Sequence, residues 1–263
     1  YDESYSKYNF NIILDYKEWI KVDNDKNLFP LFKMEDFIDN KISKFSESIN
    51  FIEISASSED IKKIDLPSNF VILLTSKNDH CMPDLRSFFL RNHSLKNPVV
   101  FSLEYNMNYS EKLILHSSTD IGGLFIQGFG DGILIKSNSS ENNELKKINS
   151  LLFKILQAAR MRVTSTDFIS CPSCGRTLFN LQETTAMIRS RTDHLKGLKI
   201  GIMGCIVNGP GEMADADYGY VGSGRNKITL YRGQNIVKKG INFKDGVNEL
   251  VSLIKEDGNW IEP

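Results

Sequence analysis

Short apolar runs bounded by turn-forming residues recur along the first part of the chain. Their β-branched and aromatic residues follow one another instead of alternating with polar ones, which is typical of strands in a sheet covered on both faces. The pattern predicts strands over residues 10–14, 51–54, 70–74, 99–103, 112–115, 123–126 and 132–135.

Segments with helical periodicity lie between several of these runs. Residues 34–45 and residues 83–91 each place their apolar side chains on one face of a helix. An alternation of strands and helices favours a parallel α/β sheet. We therefore expect a partial, barrel-like parallel α/β domain, with a doubly wound sheet as the alternative.

A second domain is predicted to begin after a long helix over residues 141–162. The boundary is placed near residue 165, which divides the chain into residues 1–165 and residues 166–263. The second part is predicted to be a small α/β domain with a mixed sheet. Its predicted elements are helices over 181–195 and 243–256, a buried strand over 198–203, and a hairpin built from 218–221 and 227–231.

The overall composition is that of a globular protein. The chain has 263 residues, of which 41% are hydrophobic and 25% charged, enough for one large domain or two modest ones. A formal net charge of -1 points to neither nucleic acid nor an anionic membrane, and no apolar run has membrane-spanning length. Because the chain begins with Tyr1 instead of Met, and its start resembles no targeting peptide, we expect a fragment or a processed piece.

The cysteines are too few for a disulfide scaffold. Of the four, Cys171, Cys174 and Cys205 lie close to Gly-rich turns, whereas Cys81 stands apart. A Cys-x-x-Cys turn directs two sulfurs to one centre, and Cys205 directly follows a predicted buried strand. This arrangement favours a reducing compartment and a metal or redox site.

A glycine-rich turn follows Cys205 and ends on a carboxylate. In Asn208-Gly-Pro-Gly-Glu212 the glycines allow the backbone to approach a bulky inorganic group, and free N–H groups would tune its potential. Three thiolates and Glu212 suit a [4Fe–4S] cluster with one displaceable ligand. Spacing alone leaves three alternatives open: a structural zinc site in an interaction module, a redox dithiol, and an iron–sulfur electron carrier.

Other polar residues carry less weight. The His80–Cys81 pair has no further ligands beside it, so we expect no metal there. Asp215 and Asp217 fit either proton positioning near the glycine-rich turn or the capping of a turn.

Two motifs resemble a known family. Residues 171–182 and 203–217 are similar to 4-hydroxy-3-methylbut-2-enyl diphosphate synthase of the methylerythritol phosphate pathway, in its three-domain type. The similarity is dense from about residue 167 to residue 263, and residues 115–126 and 128–132 resemble the end of the inserted middle domain. The resemblance implies a C-terminal portion, the inserted domain plus the cluster domain, without the N-terminal barrel.

The resemblance also implies an activity and a site. The family opens 2-C-methyl-D-erythritol 2,4-cyclodiphosphate reductively and removes a hydroxyl as water. Cys171, Cys174, Cys205 and Glu212 would hold the [4Fe–4S] cluster, substrate oxygen would replace Glu212, and Asn208 would contact substrate. Glu212 and Asn208 are therefore the expected catalytic residues.

The expected partners follow from the same resemblance. They are the cyclic diphosphate substrate, ferredoxin or flavodoxin as electron donor, the N-terminal barrel in the same or a separate chain, and a second copy in a homodimer. A cytoplasmic location is expected, with the plastid stroma as the alternative.

Overall fold

The structure is a computed structural model that describes residues 11–22, 27–39, 41–59, 61, 65–105, 107–136 and 141–263. The chain divides into two compact units, Tyr1–Arg162 and Val163–Pro263. Each unit is built around a sheet of its own. In the described residues no helix is both long enough and apolar enough to cross a membrane.

The first unit is a curled half-barrel of parallel strands, which confirms the predicted partial barrel. Its six-stranded sheet has the order β1-β2-β3-β4-β5-β6. The strands are β1 (Ile12–Asp15), β2 (Leu28–Lys33), β3 (Asn50–Ser55), β4 (Phe70–Thr75), β5 (Val99–Glu104) and β6 (Gly132–Lys136). The helices are α1 (Tyr16–Trp19), α2 (Met34–Ile38), α3 (Met82–Arg91), α4 (Glu111–Ser117), α5 (Gly123–Ile126) and α6 (Asn142–Ala158), with a π-helical turn over Ser118–Gly122.

One face of the central strands forms the core of this unit. Ile72 and Phe101 on the sheet are fully buried. They pack with helical residues that are also buried, namely Leu85, Phe88 and Leu113. Burying each such side chain contributes about 1.5–3 kcal/mol. The continuous apolar runs of the sequence are thus explained by strands that pack against helices.

Two predicted strands of the first unit are wrong. Residues 112–115 lie in α4 and residues 123–126 form α5. Ser110 caps the start of α4: its Oγ accepts a hydrogen bond from the Leu113 N–H at 3.3 Å. A short apolar run is compatible with a buried helix as well as a strand, and here the cap determines the outcome.

Two other differences concern helix length and a missed strand. The helix predicted over residues 34–45 ends at Ile38; residue 40 lies outside the described part, and residues 41–46 are not helical. Strand β2 was not predicted. It contains Pro30, which lacks an N–H and ordinarily argues against a paired strand.

Cys81 lies in the core of the first unit and is 3% exposed. Burial raises the pKa of its thiol to about 12, and Asp120 beside it acts in the same direction. Asp120 accepts a hydrogen bond from the Tyr105 hydroxyl at 3.1 Å. His80 stacks on His116 with ring centroids 5.4 Å apart, a contact between residues that are 36 positions apart in the chain. Among the described residues, those of the second unit included, no three His, Cys, Asp or Glu side chains are grouped closely enough to hold a single metal ion. A cluster of several metal atoms, whose ligands are spread over those atoms, is a separate case.

Cys81 is expected to resist alkylation in the folded, metal-free protein. A rise of the pKa from 9.0 to about 12 lowers the thiolate fraction near neutral pH about a thousandfold. Mass spectrometry after iodoacetamide treatment at pH 8 should show Cys174 modified at least about a hundred times faster than Cys81. Equal rates for the two thiols would contradict the burial, and denaturant should remove the difference.

The second unit has a mixed sheet, as predicted. Strands β7 (Asp167–Ser170), β8 (Lys199–Met203) and β9 (Tyr218–Gly224) are parallel, whereas β10 (Lys227–Arg232) and β11 (Asn235–Asn242) continue the sheet antiparallel, in the order β11-β10-β9-β8-β7. The helices are α7 (Leu181–Thr192), α8 (Gly209–Glu212) and α9 (Phe243–Glu256).

The core of this unit lies between α9 and the sheet. Leu250 and Leu253 of α9 are fully buried together with Ile202 and Tyr220 of the sheet. The helix has the predicted bounds because the side chain of Asn242 accepts a hydrogen bond from the Lys244 N–H at 3.0 Å. The hairpin of β9 and β10 was predicted, whereas β11, a largely exposed edge strand, was not.

Candidate metal centre

Two adjacent parallel strands bring the first donors together. β7 pairs with β8 so that Ser170 lies opposite Ile202, and the chain continues from these residues to Cys171 and Cys205 at the same edge of the sheet. The Cys171 N–H donates to the Ile202 carbonyl at 3.3 Å. The strand register therefore determines that both thiols lie at one end of the sheet.

The Cys171–Cys174 turn is held by a side chain that follows it. The Cys174 N–H donates to Thr177 Oγ1 at 3.1 Å, and the Thr177 N–H donates to the Cys174 carbonyl at 2.9 Å. Ser173 takes a left-handed conformation with φ 64° within this turn. Gly204 has no side chain here because a Cβ would lie 2.7 Å from Thr177 Cγ2.

The carboxylate is positioned by the residue that follows it. Glu212 ends α8, and its N–H donates to the Asn208 carbonyl at 3.0 Å. Met213 is 1% exposed and lies over Gly201 and Gly219, where an added Cβ would come within 2.6 Å and 2.4 Å of the Met213 side chain. Met213 therefore fits against the sheet because Gly201 and Gly219 have no side chains. Since Glu212 is the residue before Met213, this packing holds Glu212 at the cavity.

All of the predicted site residues surround one cavity. Its volume is about 120 Å³, several times the roughly 30 Å³ that one water occupies in the liquid. The predicted residues in its wall are Cys171, Cys174, Cys205, Asn208 and Glu212. Their roles as ligands and catalytic residues stay predictions.

A backbone donor points at one of the thiols. The Gly204 N–H lies 3.3 Å from Cys171 Sγ, within hydrogen-bond distance for sulfur. The sequence predicts N–H groups near the glycine-rich turn, and the structure provides one at the Gly-Cys step that precedes it. Hydrogen bonds to a ligand sulfur raise the reduction potential of an iron–sulfur cluster.

Arg176 also lies in the cavity wall, although it was not among the predicted site residues. Both its N–H and its guanidinium donate to Cys174, which lowers the pKa of that exposed thiol. Cys174, Cys205 and Glu212 in turn raise the pKa of Arg176. A cation placed two positions after a candidate thiolate ligand was the available sequence signal.

Asp217 does not belong to the site. Its Oδ2 accepts a hydrogen bond from the Lys199 N–H at 2.8 Å, and Lys199 begins β8, whereas the cavity lies beyond the other end of that strand. The structure therefore gives Asp217 neither of the two predicted roles: its side chain ties the residue before β9 to the start of β8. Asp215 is exposed and is not part of the cavity wall.

Comparison with known proteins identifies the part of the chain that carries this cavity. Residues 167–256 match the family described as GcpE protein C-terminal domain. The second unit belongs to the GcpE C-terminal domain family. Within this domain, the matched residues run from the first residue of β7 to the last residue of α9.

Relatives of the GcpE-domain chain extend the similarity beyond that domain. The 4-hydroxy-3-methylbut-2-en-1-yl diphosphate synthase (flavodoxin) of Phocaeicola vulgatus is 39% identical over 97% of this chain and 41% of the relative. The corresponding enzyme of Leptospira interrogans is 54% identical over 58% of the chain and 23% of its own length. A chloroplastic, ferredoxin-type synthase of Arabidopsis thaliana is 47% identical over 66% of the chain and 23% of its own length. The chain thus spans about two fifths of the length of the Phocaeicola vulgatus relative.

Proposed function

We propose that this chain is the cluster-carrying part of a 4-hydroxy-3-methylbut-2-en-1-yl diphosphate synthase. The observation that carries the proposal is the convergence of three thiols and one carboxylate on a single cavity. Relatives that are named as this synthase align with most of the chain. The remainder of their length is the expected source of the groups that bind the diphosphate.

The residues present fit a [4Fe–4S] cluster. Soft thiolates from Cys171, Cys174 and Cys205 are its preferred ligands, and Glu212 would be the fourth and weakest. Gly204 and Gly209 let the backbone in the cavity wall pack closely against its neighbours. A Cβ on Gly209, for example, would lie 2.7 Å from Met203 Cβ. When bound, the cluster would supply electrons singly and an iron with a replaceable ligand.

The residues around the cavity have distinct roles in this proposal. Glu212 and Asn208 are exposed, so both side chains are accessible to a substrate. The Asn208 side chain makes no capping hydrogen bond to α8, which leaves its amide available to orient a substrate hydroxyl. Arg176 offsets the negative charge of the thiolates and the carboxylate.

The proposed substrate is 2-C-methyl-D-erythritol 2,4-cyclodiphosphate. Opening its ring breaks one carbon–oxygen bond, and loss of a hydroxyl breaks another and forms the double bond. Two electrons and two protons balance the reaction, and the hydroxyl leaves as water. The electrons would come from flavodoxin or ferredoxin, the donors named for the relatives.

Metal analysis of the chain tests this proposal. We expect anaerobically reconstituted protein to be brown, to contain about four iron atoms and as much acid-labile sulfide per chain, and to bleach on reduction. Inductively coupled plasma spectrometry, a sulfide assay and the optical spectrum measure these properties. A colourless protein with one tightly bound zinc would overturn the proposal and favour a structural or interaction module.

A further inference from the structure

A groove of about 870 Å³ lies on the outer side of the Cys171–Cys174 turn. It is distinct from the cluster cavity, since neither Asn208 nor Glu212 lines it. The groove and the cavity share part of their walls, namely Pro172, Ser173, Cys174 and Thr177. Cys174 therefore stands in the wall between the proposed cluster and an open surface.

Cys174 is the most accessible of the three thiols. It is exposed, whereas Cys171 and Cys205 are partly buried. Electron tunnelling slows steeply with distance, so the exposed ligand offers the shortest path from the surface to the cluster. A reductant that occupied the groove would contact this ligand directly, while the wall formed by Asn208 and Glu212 stayed free for substrate.

The positive charge of the groove favours a partner with a negatively charged surface. Among the described residues that line it none is acidic, and the cation in its wall is Arg189. The Arg189 guanidinium lies over the Phe168 ring at 4.9 Å, which fixes its position. No ion pair with a carboxylate involves Arg189 in the described part of the chain, so its charge is not neutralised.

We propose that this groove is the docking site of an acidic, one-electron carrier protein that reduces the cluster through Cys174. The inference rests on the proposed function, and the flavodoxin named for the relatives is such a carrier by function. In each encounter the reduced carrier loses one electron and the cluster gains one, with no bond made or broken. Transient electron-transfer complexes bury less than about 1,200 Å² in total, so a docking surface of this kind need not be large.

Stopped-flow reduction of the reconstituted chain by photoreduced flavodoxin tests the docking site without substrate. At low salt, Arg189→Glu should lower the second-order rate constant about tenfold and weaken its dependence on ionic strength. Arg191→Glu is the matched control, because Arg191 carries the same charge on α7 but does not line the groove. Dithionite, a small reductant, should reduce all of these proteins at the same rate.

A second variant separates docking from folding. Gln182→Glu adds a carboxylate to the groove wall at an exposed position and leaves the contact of Arg189 with Phe168 in place. It should also slow reduction by flavodoxin. Wild-type rates in both groove variants, or a rate that does not depend on salt, would overturn the docking site. Failure to load any cluster would instead refute the proposed function.

Discussion

Replacing Cys205 with alanine is expected to lower the iron content of the reconstituted chain below about a tenth of that of the wild type. Loss of a residue that merely supports a metal ligand already costs about 10–100-fold in affinity, and loss of a ligand costs more. Cys205 follows β8 at the edge of the sheet where Cys171 follows β7, and within the described part of the chain three thiols line the cavity. Two thiolates and a carboxylate would not retain a cubane.

Cys81→Ala is the control for this experiment. Cys81→Ala removes a thiol that is 3% exposed in the core of the first unit, so its iron and sulfide contents should match those of the wild type. Circular dichroism would establish that both variants are folded. A Cys205→Ala protein that still contained stoichiometric iron and sulfide would show that another residue completes the site.

Glu212→Ala is expected to separate cluster binding from catalysis. The three thiolates would still hold the cluster, and reduction by dithionite should continue. Turnover of the cyclic diphosphate, measured in a protein that carries the remainder of the relatives' length, should fall at least about 100-fold, equivalent to about 2.7 kcal/mol in the barrier. The reason is that an exposed carboxylate at the cavity is the proposed replaceable ligand.

Asp215→Ala is the matched control for Glu212→Ala. Asp215 is also exposed and follows the same turn, but it does not line the cavity. Its variant should retain both the cluster and the turnover of the wild type. Normal turnover by Glu212→Ala would contradict the replaceable-ligand hypothesis and would favour an electron-carrier role for the domain.

Much of the candidate site was predictable from the sequence because its donors lie in two short motifs. Cysteines are scarce in the chain, and a Cys-x-x-Cys turn, a Gly-Cys step and a glycine-rich turn that ends on Glu212 can be recognised without a structure. The spacing of Arg176 from Cys174 is a weak signal in the sequence, and the position of Arg189 in a groove wall leaves no signal there at all. A single arginine on a predicted helix or turn is ordinarily a solvated charge, and only its neighbours in space distinguish it.

The helices and strands likewise divide into those that the sequence predicts and those that it does not. Strands β3, β4, β5, β6 and β8 were predicted because apolar side chains dominate them. The sequence predicts strands where α4 and α5 lie, since a four-residue apolar run has too few positions to reveal a period. Strand β11 went unpredicted because it is an exposed edge whose pairing with β10 depends on the backbone.

By itself, the sequence determined the class of fold, and it singled out four candidate donors and the chemistry that such a set would favour. These depend on residue type and local spacing, which act over a few positions of the chain. Tertiary structure alone decided that the donors share one cavity, that Gly201 and Gly219 make room for Met213, and that Arg176 lies beside Cys174. Contacts of this kind join residues that are distant along the chain, and they arise only when strand register and packing are established.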